Sequence, residues 1–280
     1  MKIWFSMALA VVALAGISLS VRGRSNEMQR SAPGESNART TEQPRVPVVV
    51  ELFTSEGCSS CPPADELLAT LDKKQSVPGV EIIALEQHVD YWNSLGWKDP
   101  FSSSRFSERQ SEYALSFGRS GIYTPQMIVD GNVEFVGSSR REALSSIAEA
   151  GRRAKARVSL QIKNSESDSA GNIPLVLSVE MLPKTGTTGD ADLVIAVTEN
   201  DLPSNISRGE NAGLNVVHRA VVRDLRTIGN VKPGKSLEMK WDLRLDKEWN
   251  RENVHVVVFL QDRSNRNILG AASRGLGKVA

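Results

Sequence analysis

The stretch Val46-Pro47-Val48-Val49-Val50-Glu51-Leu52-Phe53-Thr54-Ser55-Glu56-Gly57-Cys58-Ser59-Ser60-Cys61-Pro62-Pro63-Ala64-Asp65-Glu66-Leu67-Leu68 decides how the chain is read. Its nearly continuous apolar start, rich in β-branched valine, predicts a buried strand. A short turn containing Gly57 follows, and then two cysteines with two residues between them. Pro62 and Pro63 sit where a helix has unpaired amides anyway, so they fix the turn at little cost and start a helix. These are the only 2 cysteines in the 280 residues.

A dithiol at a strand-to-helix junction is the setting in which thioredoxin-like folds keep redox chemistry. The thiolate is the reactive form, and the first amides of a helix stabilise negative charge. Cys58 is therefore the expected nucleophile and Cys61 the resolving thiol. Ser59 and Ser60 are placed to donate hydrogen bonds to sulfur. Glu56, Asp65 and Glu66, the nearest charges, are all acidic and oppose activation of Cys58. The alternative is a structural disulfide, although closing a two-residue loop restrains little of the unfolded chain.

Downstream the pattern alternates. Leu67, Leu68 and Leu71 recur at helical spacing on a segment ending near Ser76, and Pro78-Gly79 breaks it. Val80 to Leu85 predicts a second buried strand. Four aromatics of a chain with only 5% aromatic residues, Tyr91, Trp92, Trp97 and Phe101, then fall close together. They either line a substrate groove or pack an insertion against the sheet. A helix capped by one of Ser102 to Ser104 follows, with Phe106, Tyr113, Ala114 and Phe117 available for its inner face. Ile122 to Gly137 predicts a hairpin turning at Asp130-Gly131, and Ser139 to about Ala156 a closing helix. Beyond residue 158, short alternating strands near 158–162, 175–181, 193–198, 237–243, 254–260 and 268–271 predict an antiparallel β-sandwich. The segment Val216 to Leu225 fits both periods and is read as strand. Polar loops are expected at 164–172 and 184–190.

The first 21 residues carry Lys2, an apolar core and small residues, which predicts a secretory signal peptide or an uncleaved N-terminal anchor. Residues 22–45, polar and poor in large apolar side chains, predict a disordered linker. The expected organisation is thus a leader, a linker, a thioredoxin-like α/β domain with a helical insertion over 46–157, and a β-sandwich domain over 158–280. Export places the folded part in the periplasm or at the cell surface, where a disulfide persists. A net charge of +1 gives no basic field to recruit nucleic acid. With 24% charged and 40% hydrophobic residues the composition is that of an ordinary globular chain. No phosphate-binding glycine loop, metalloprotease helix or serine-nucleophile elbow is present.

Other candidate residues follow from position. Thr124-Pro125, ahead of the hairpin, is either a cis proline lying against the dithiol, where the preceding backbone pairs with an incoming substrate, or an ordinary trans proline at a strand start. His88, just past the second strand, is a proton donor, a hydrogen-bonded structural histidine, or, with Cys58 and Cys61, a soft site for copper(I). Glu51 is either a buried proton acceptor or the partner of Arg105 or Arg109.

The chain from Val48 to Gly137 resembles the bacterial DUF1223 family, exported thioredoxin-like proteins of uncharacterised function. The resemblance rests on Glu51 to Asp65, on His88-Val89-Asp90-Tyr91-Trp92 with Leu95 to Phe101, and on Tyr123-Thr124-Pro125-Gln126-Met127 with Val129-Asp130-Gly131. It implies the thioredoxin-like fold and weakens over the C-terminal part. Against thioredoxin itself, Gly57 replaces the tryptophan before the first cysteine, and Leu52 takes the place of the buried acid, with Glu51 one position away.

The expected function is thiol-disulfide exchange on exported proteins through Cys58 and Cys61, with Pro125 and Thr124 presenting substrate backbone and no cofactor. Its partners are exported thiols or disulfides and a redox donor, with a membrane tether if the N-terminal segment is retained. The alternatives are a copper(I) carrier using Cys58, Cys61 and His88, and a non-catalytic binding module with a structural disulfide.

Overall fold

A computed structural model describes residues 45–163, 172–182 and 189–277. The expected leader, the linker through residue 44, and most of the polar loops at 164–172 and 184–190 lie outside the described residues.

The opening valine-rich run is β1 (Val46–Thr54), buried over nearly its whole length. The dithiol turn leads into α1 (Pro62–Lys74), which presents Ala64, Leu67, Leu68 and Leu71 to the core. Gln75 ends it in a left-handed conformation, its side chain tying Asp72 O to the start of β2. β2 (Val80–His88) then lies parallel to β1, in register from Val46↔Val80 to Thr54↔His88. Parallel neighbours require a crossover, which α1 supplies. Both strands consequently end at the same edge of the sheet, and the dithiol turn and His88 emerge there together.

An irregular segment rich in aromatics leads to α2 (Ser104–Ser116), capped by the Ser103 side chain on Arg105 N at 3.3 Å. β3 (Gln126–Val129) pairs antiparallel with β1, and β4 (Val133–Val136) antiparallel with β3. Asp130 and Gly131 both take positive φ, 50° and 64°, as the turn chemistry requires. α3 (Arg140–Ala150) ends well before the expected limit near Ala156.

The remaining strands are β5 (Val158–Ile162), β6 (Asn172–Val179), β7 (Ala191–Glu199), β8 (Leu202–Asn205), β9 (Asn215–His218), β10 (Val221–Val231), β11 (Leu237–Arg244), β12 (Val254–Asp262) and β13 (Ile268–Gly275). The short β8 was not legible in the sequence. The ambiguous segment 216–225 is strand on both sides of a break at Ala220, whose φ is 60°.

These C-terminal strands do not close among themselves as a free-standing sandwich. Four of them extend the first sheet, giving one eight-stranded mixed sheet in the order β13-β12-β7-β10-β2-β1-β3-β4. The seam is a parallel contact of β10 with β2 at Val221↔Glu86, with Glu86 N donating to Ala220 O at 2.8 Å. Among the described residues, β11-β6-β5 forms a separate three-stranded sheet and β8-β9 a separate two-stranded one. Leu160, Leu175 and Leu177 of the three-stranded sheet pack on Ile195, Val197, Val256 and Val258. Alternation along the strands assigns the faces. α1 and α3 cover Val48, Val50, Ile82 and Met127 on one face. α2 covers Val49, Ile83, Val194 and Phe259 on the other, bridging the N- and C-terminal halves of the sheet. Among the described residues no helix is long and apolar enough to cross a membrane.

Candidate functional site

Cys58 and Cys61 are joined by a disulfide, with their Cα atoms 5.4 Å apart, and both are fully buried. The turn is built by local backbone bonds, Cys58 N to Ser55 O and Cys61 N to Cys58 O, each 3.1 Å. Cys61 occupies the N-cap of α1 without a side-chain cap bond, its carbonyl accepting from Ala64 N at 2.8 Å. Ser60 Oγ lies 3.4 Å from Cys58 Sγ, in keeping with the expected serine-to-sulfur contact.

Gly57 has a clear reason to be glycine. A Cβ there would sit 3.1 Å from Trp92 Cβ and 3.5 Å from Trp92 O, so Trp92 packs closely on the residue before the first cysteine. Trp92 Nε1 in turn donates to Thr124 Oγ1 at 2.8 Å, and the Thr124–Pro125 bond is cis. Trp92 thereby links the dithiol turn to the segment that opens β3.

The loop between β8 and β9 closes over the turn from the other side. Asn211, buried, donates through Nδ2 to Glu56 O at 2.8 Å and to Cys58 O at 2.9 Å. Ser59 N donates to Glu210 Oε2 at 3.3 Å. Gly209, at φ 79°, lets the loop pass close to Trp97.

Next to the turn, at the ends of the parallel strands, lies a buried cluster of acids and histidines. His88 Nδ1 is 2.7 Å from Asp99 Oδ2, and Asp99 Oδ2 also accepts from Glu56 N at 2.8 Å. His218 bridges two carboxylates, Nδ1 to Glu86 Oε1 at 2.9 Å and Nε2 to Glu56 Oε1 at 3.1 Å. The two imidazoles meet edge to face with centroids 4.7 Å apart, and Phe101 packs on both. Trp97 Nε1 donates to Glu56 Oε2 at 2.6 Å.

Burial would discharge these groups, and the pairing opposes it. Burial pulls His88 down, but Asp99 beside it raises the imidazole well above its ordinary 6.5. Burial likewise lowers His218, which its bonds to Glu56 and Glu86 carry up to about 9. Burial pushes Glu86 up, whereas His218 and His88 hold it at about 2. Asp65, whose carboxylate accepts from Thr54 Oγ1 at 2.5 Å, is raised to about 7 by burial and then by the Glu86 charge. Asp65 lies in the first turn of α1, which Cys61 caps.

Glu51 faces the opposite side of β1, as strand alternation demands. It receives Arg109 Nε at 2.6 Å, Arg109 Nη2 at 2.9 Å, Gln87 Nε2 at 2.7 Å and the Tyr113 hydroxyl. Of the two expected roles, the partner of Arg109 is the one adopted.

At the sheet edge where β1 and β2 end, Trp92 packs on Gly57, Trp97 bonds Glu56, and Phe101 packs on His88. His88 is grouped with Glu86 and His218, whereas the cysteine sulfurs are bonded to each other. Glu86, Asp99, Asn211 and His218 were not singled out from the sequence. The signal available was histidine scarcity, since 2 of the 3 histidines meet here.

A buried Cys-x-x-Cys disulfide at the junction of a parallel strand and a helix, on a large mixed sheet, defines the class of this α/β protein. A family model described as "Protein of unknown function (DUF1223)" matches residues 49–261. The chain belongs to the DUF1223 family. A crystal structure of a protein from Agrobacterium tumefaciens is similar at TM-score 0.64 and 27% identity, covering 85% of this chain and 98% of that one. HBP35 of Porphyromonas gingivalis is similar in fold at TM-score 0.59 and 17% identity, covering 82% of this chain and 75% of that one. No curated protein matched the chain.

Proposed function

We propose that this protein performs thiol-disulfide exchange on exported proteins through Cys58 and Cys61, in the periplasm or at the cell surface. The observation that carries the reading is the disulfide at the N-terminus of α1, directly after a buried parallel strand. The strand order β2-β1-β3-β4, with β2 parallel to β1 and β3 and β4 antiparallel, supports the thioredoxin-like reading of this half. The cis Thr124–Pro125 peptide ahead of β3 is in keeping with it.

In the oxidising direction a substrate thiolate attacks Cys58 Sγ. The Cys58–Cys61 bond breaks, a mixed disulfide forms on Cys58, and Cys61 leaves as a thiolate at the helix start. A second substrate thiolate then displaces Cys58, so the substrate gains a disulfide and the pair takes up two electrons and two protons. Reduction runs the same steps backwards, with a redox donor restoring the dithiol. Both cysteines are buried, so exchange requires local opening, and the loop carrying Asn211, bonded to Cys58 O, is the element we propose to open.

The test is a trap. Cys61→Ser, expressed as the full chain in its exporting host, should accumulate mixed disulfides through Cys58, seen on non-reducing gels and lost on reduction. The purified pair, equilibrated in glutathione buffers, should show a potential above about −250 mV. A pair below about −300 mV together with no trapped partner would overturn the reading.

A further inference from the structure

The buried cluster beside the dithiol has the construction of a metal centre. Glu86, His88 and His218 bring one ligand atom each within 4.8 Å of one another, and all three are buried. Two of the edges, Glu86 Oε1 to His218 Nδ1 at 2.9 Å and Glu86 Oε1 to His88 Nε2 at 3.6 Å, bracket the spacing of about 3.3 Å expected of ligands around a tetrahedral cation bonded at about 2.0–2.1 Å.

Two further observations point to a ligand. His88 Nε2 is buried and has no hydrogen-bond partner among the described residues, although it is turned toward the Glu86 carboxylate. A buried ring nitrogen without a partner is costly unless something else satisfies it. In addition, each histidine has its other nitrogen held by a separate carboxylate, His88 Nδ1 by Asp99 at 2.7 Å and His218 Nε2 by Glu56 at 3.1 Å. Outer carboxylates of this kind fix the tautomer and ring orientation of metal-binding histidines. Here they leave His88 Nε2 and His218 Nδ1 both facing Glu86. Glu86 is oriented as well, its Oε2 accepting from Arg219 N at 3.1 Å.

We propose that Glu86, His88 and His218 form a binding site for a divalent transition metal of the zinc class, separate from the dithiol. Two imidazoles and one carboxylate suit such an ion, whereas calcium and magnesium prefer all-oxygen shells. Asp99 and Glu56 are positioning residues. The ligands come from β2 and from the end of β9, so the ion would fasten the parallel seam between β2 and β10 and the base of the loop that covers Cys58. The proposal does not depend on the exchange reading, because it uses neither cysteine.

The experiment uses zinc itself. The purified full chain, freed of metal by chelator and loaded with Zn²⁺ at equilibrium or during refolding from urea, should hold one equivalent in competition with a chromophoric chelator. Cys58→Ser/Cys61→Ser should bind equally well. Glu86→Gln and His218→Gln should each weaken binding more than tenfold, and Asp99→Asn by about 10–100-fold. X-ray absorption at the zinc edge of the wild-type protein should show nitrogen and oxygen neighbours at about 2.0–2.1 Å and no sulfur at about 2.3 Å. That spectrum decides the matter if the ligand variants do not fold. Failure of wild type to bind zinc under both loading conditions, loss of binding in the cysteine variant, or sulfur in the spectrum would each overturn the proposal.

Discussion

Asn211 donates from a single amide nitrogen to the main-chain carbonyls of both Glu56 and Cys58, at 2.8 and 2.9 Å, across more than 150 residues of sequence. The loop between β8 and β9 is thereby pinned onto the dithiol turn. Asn211→Ala would remove this donor from the Glu56 carbonyl and leave Cys58 O with Cys61 N, at a cost of about 1–3 kcal/mol. Urea unfolding should show that loss. Reduction of the disulfide by a water-soluble phosphine should also become several-fold faster than in wild type, because the cover over Cys58 has lost its latch. An unchanged reduction rate would mean the loop does not limit access.

The Glu51–Arg109 pair makes a prediction with a sign in pH. Burial alone would raise Glu51, but Arg109 holds it below the ordinary 4.5. A carboxyl depressed in the folded state contributes stability above its unfolded pKa, and that contribution is lost as pH falls through its folded pKa. Arg109→Met removes the partner and should cost about 3–5 kcal/mol at pH 7. In the variant, buried Glu51 takes up a proton more readily than in the unfolded chain, so the difference from wild type should shrink as pH is lowered through about 4.5. Urea midpoints between pH 7 and 4 check both statements; a penalty that grows toward acid would contradict them.

Removing the disulfide should be mild. The bridge closes a very short loop, for which chain entropy gives about 2 kcal/mol. Cys58→Ser/Cys61→Ser should therefore remain folded and lose no more than about that in urea unfolding. A loss twice as large would favour a structural staple over an exchange site.

Gly131 joins the two halves of the molecule in a way that tolerates no side chain. A Cβ there would lie 2.0 Å from the carbonyl oxygen of Arg266, in the turn between β12 and β13, and the residue has φ 64°. The obstacle is backbone, so it cannot rotate away. Gly131→Ala should cost about 3 kcal/mol, by overpacking together with the left-handed conformation. Gly118, also at positive φ but with open space around it, is the control: Gly118→Ala should cost about 1 kcal/mol. Thermal unfolding of the two variants compares them directly.

Local chemistry made much of this protein readable from its sequence. The valine run, the paired cysteines and the two prolines specify a buried strand, a dithiol turn and a helix start, because each rests on a preference of a few adjacent residues. Asp130-Gly131 and Ser103 act over the same short range, as turn and cap. Strand alternation also offered, as one of two roles for Glu51, a partner such as Arg105 or Arg109, and Arg109 is the one it meets. Residues that act over long separations were not readable. His218 meets Glu86 and Glu56 across 132 and 162 positions, and Asn211 reaches Cys58 from another element. Neither has a local pattern to mark it. The merging of the C-terminal strands into the first sheet is equally invisible, since strand periodicity reports which face is buried and says nothing about the neighbour. Sequence thus determined the strand, the helix and the dithiol between them. Only the parallel contact of β2 with β10 decided that this dithiol would lie beside two histidines and beneath a loop, because that pairing depends on the closure of the whole sheet.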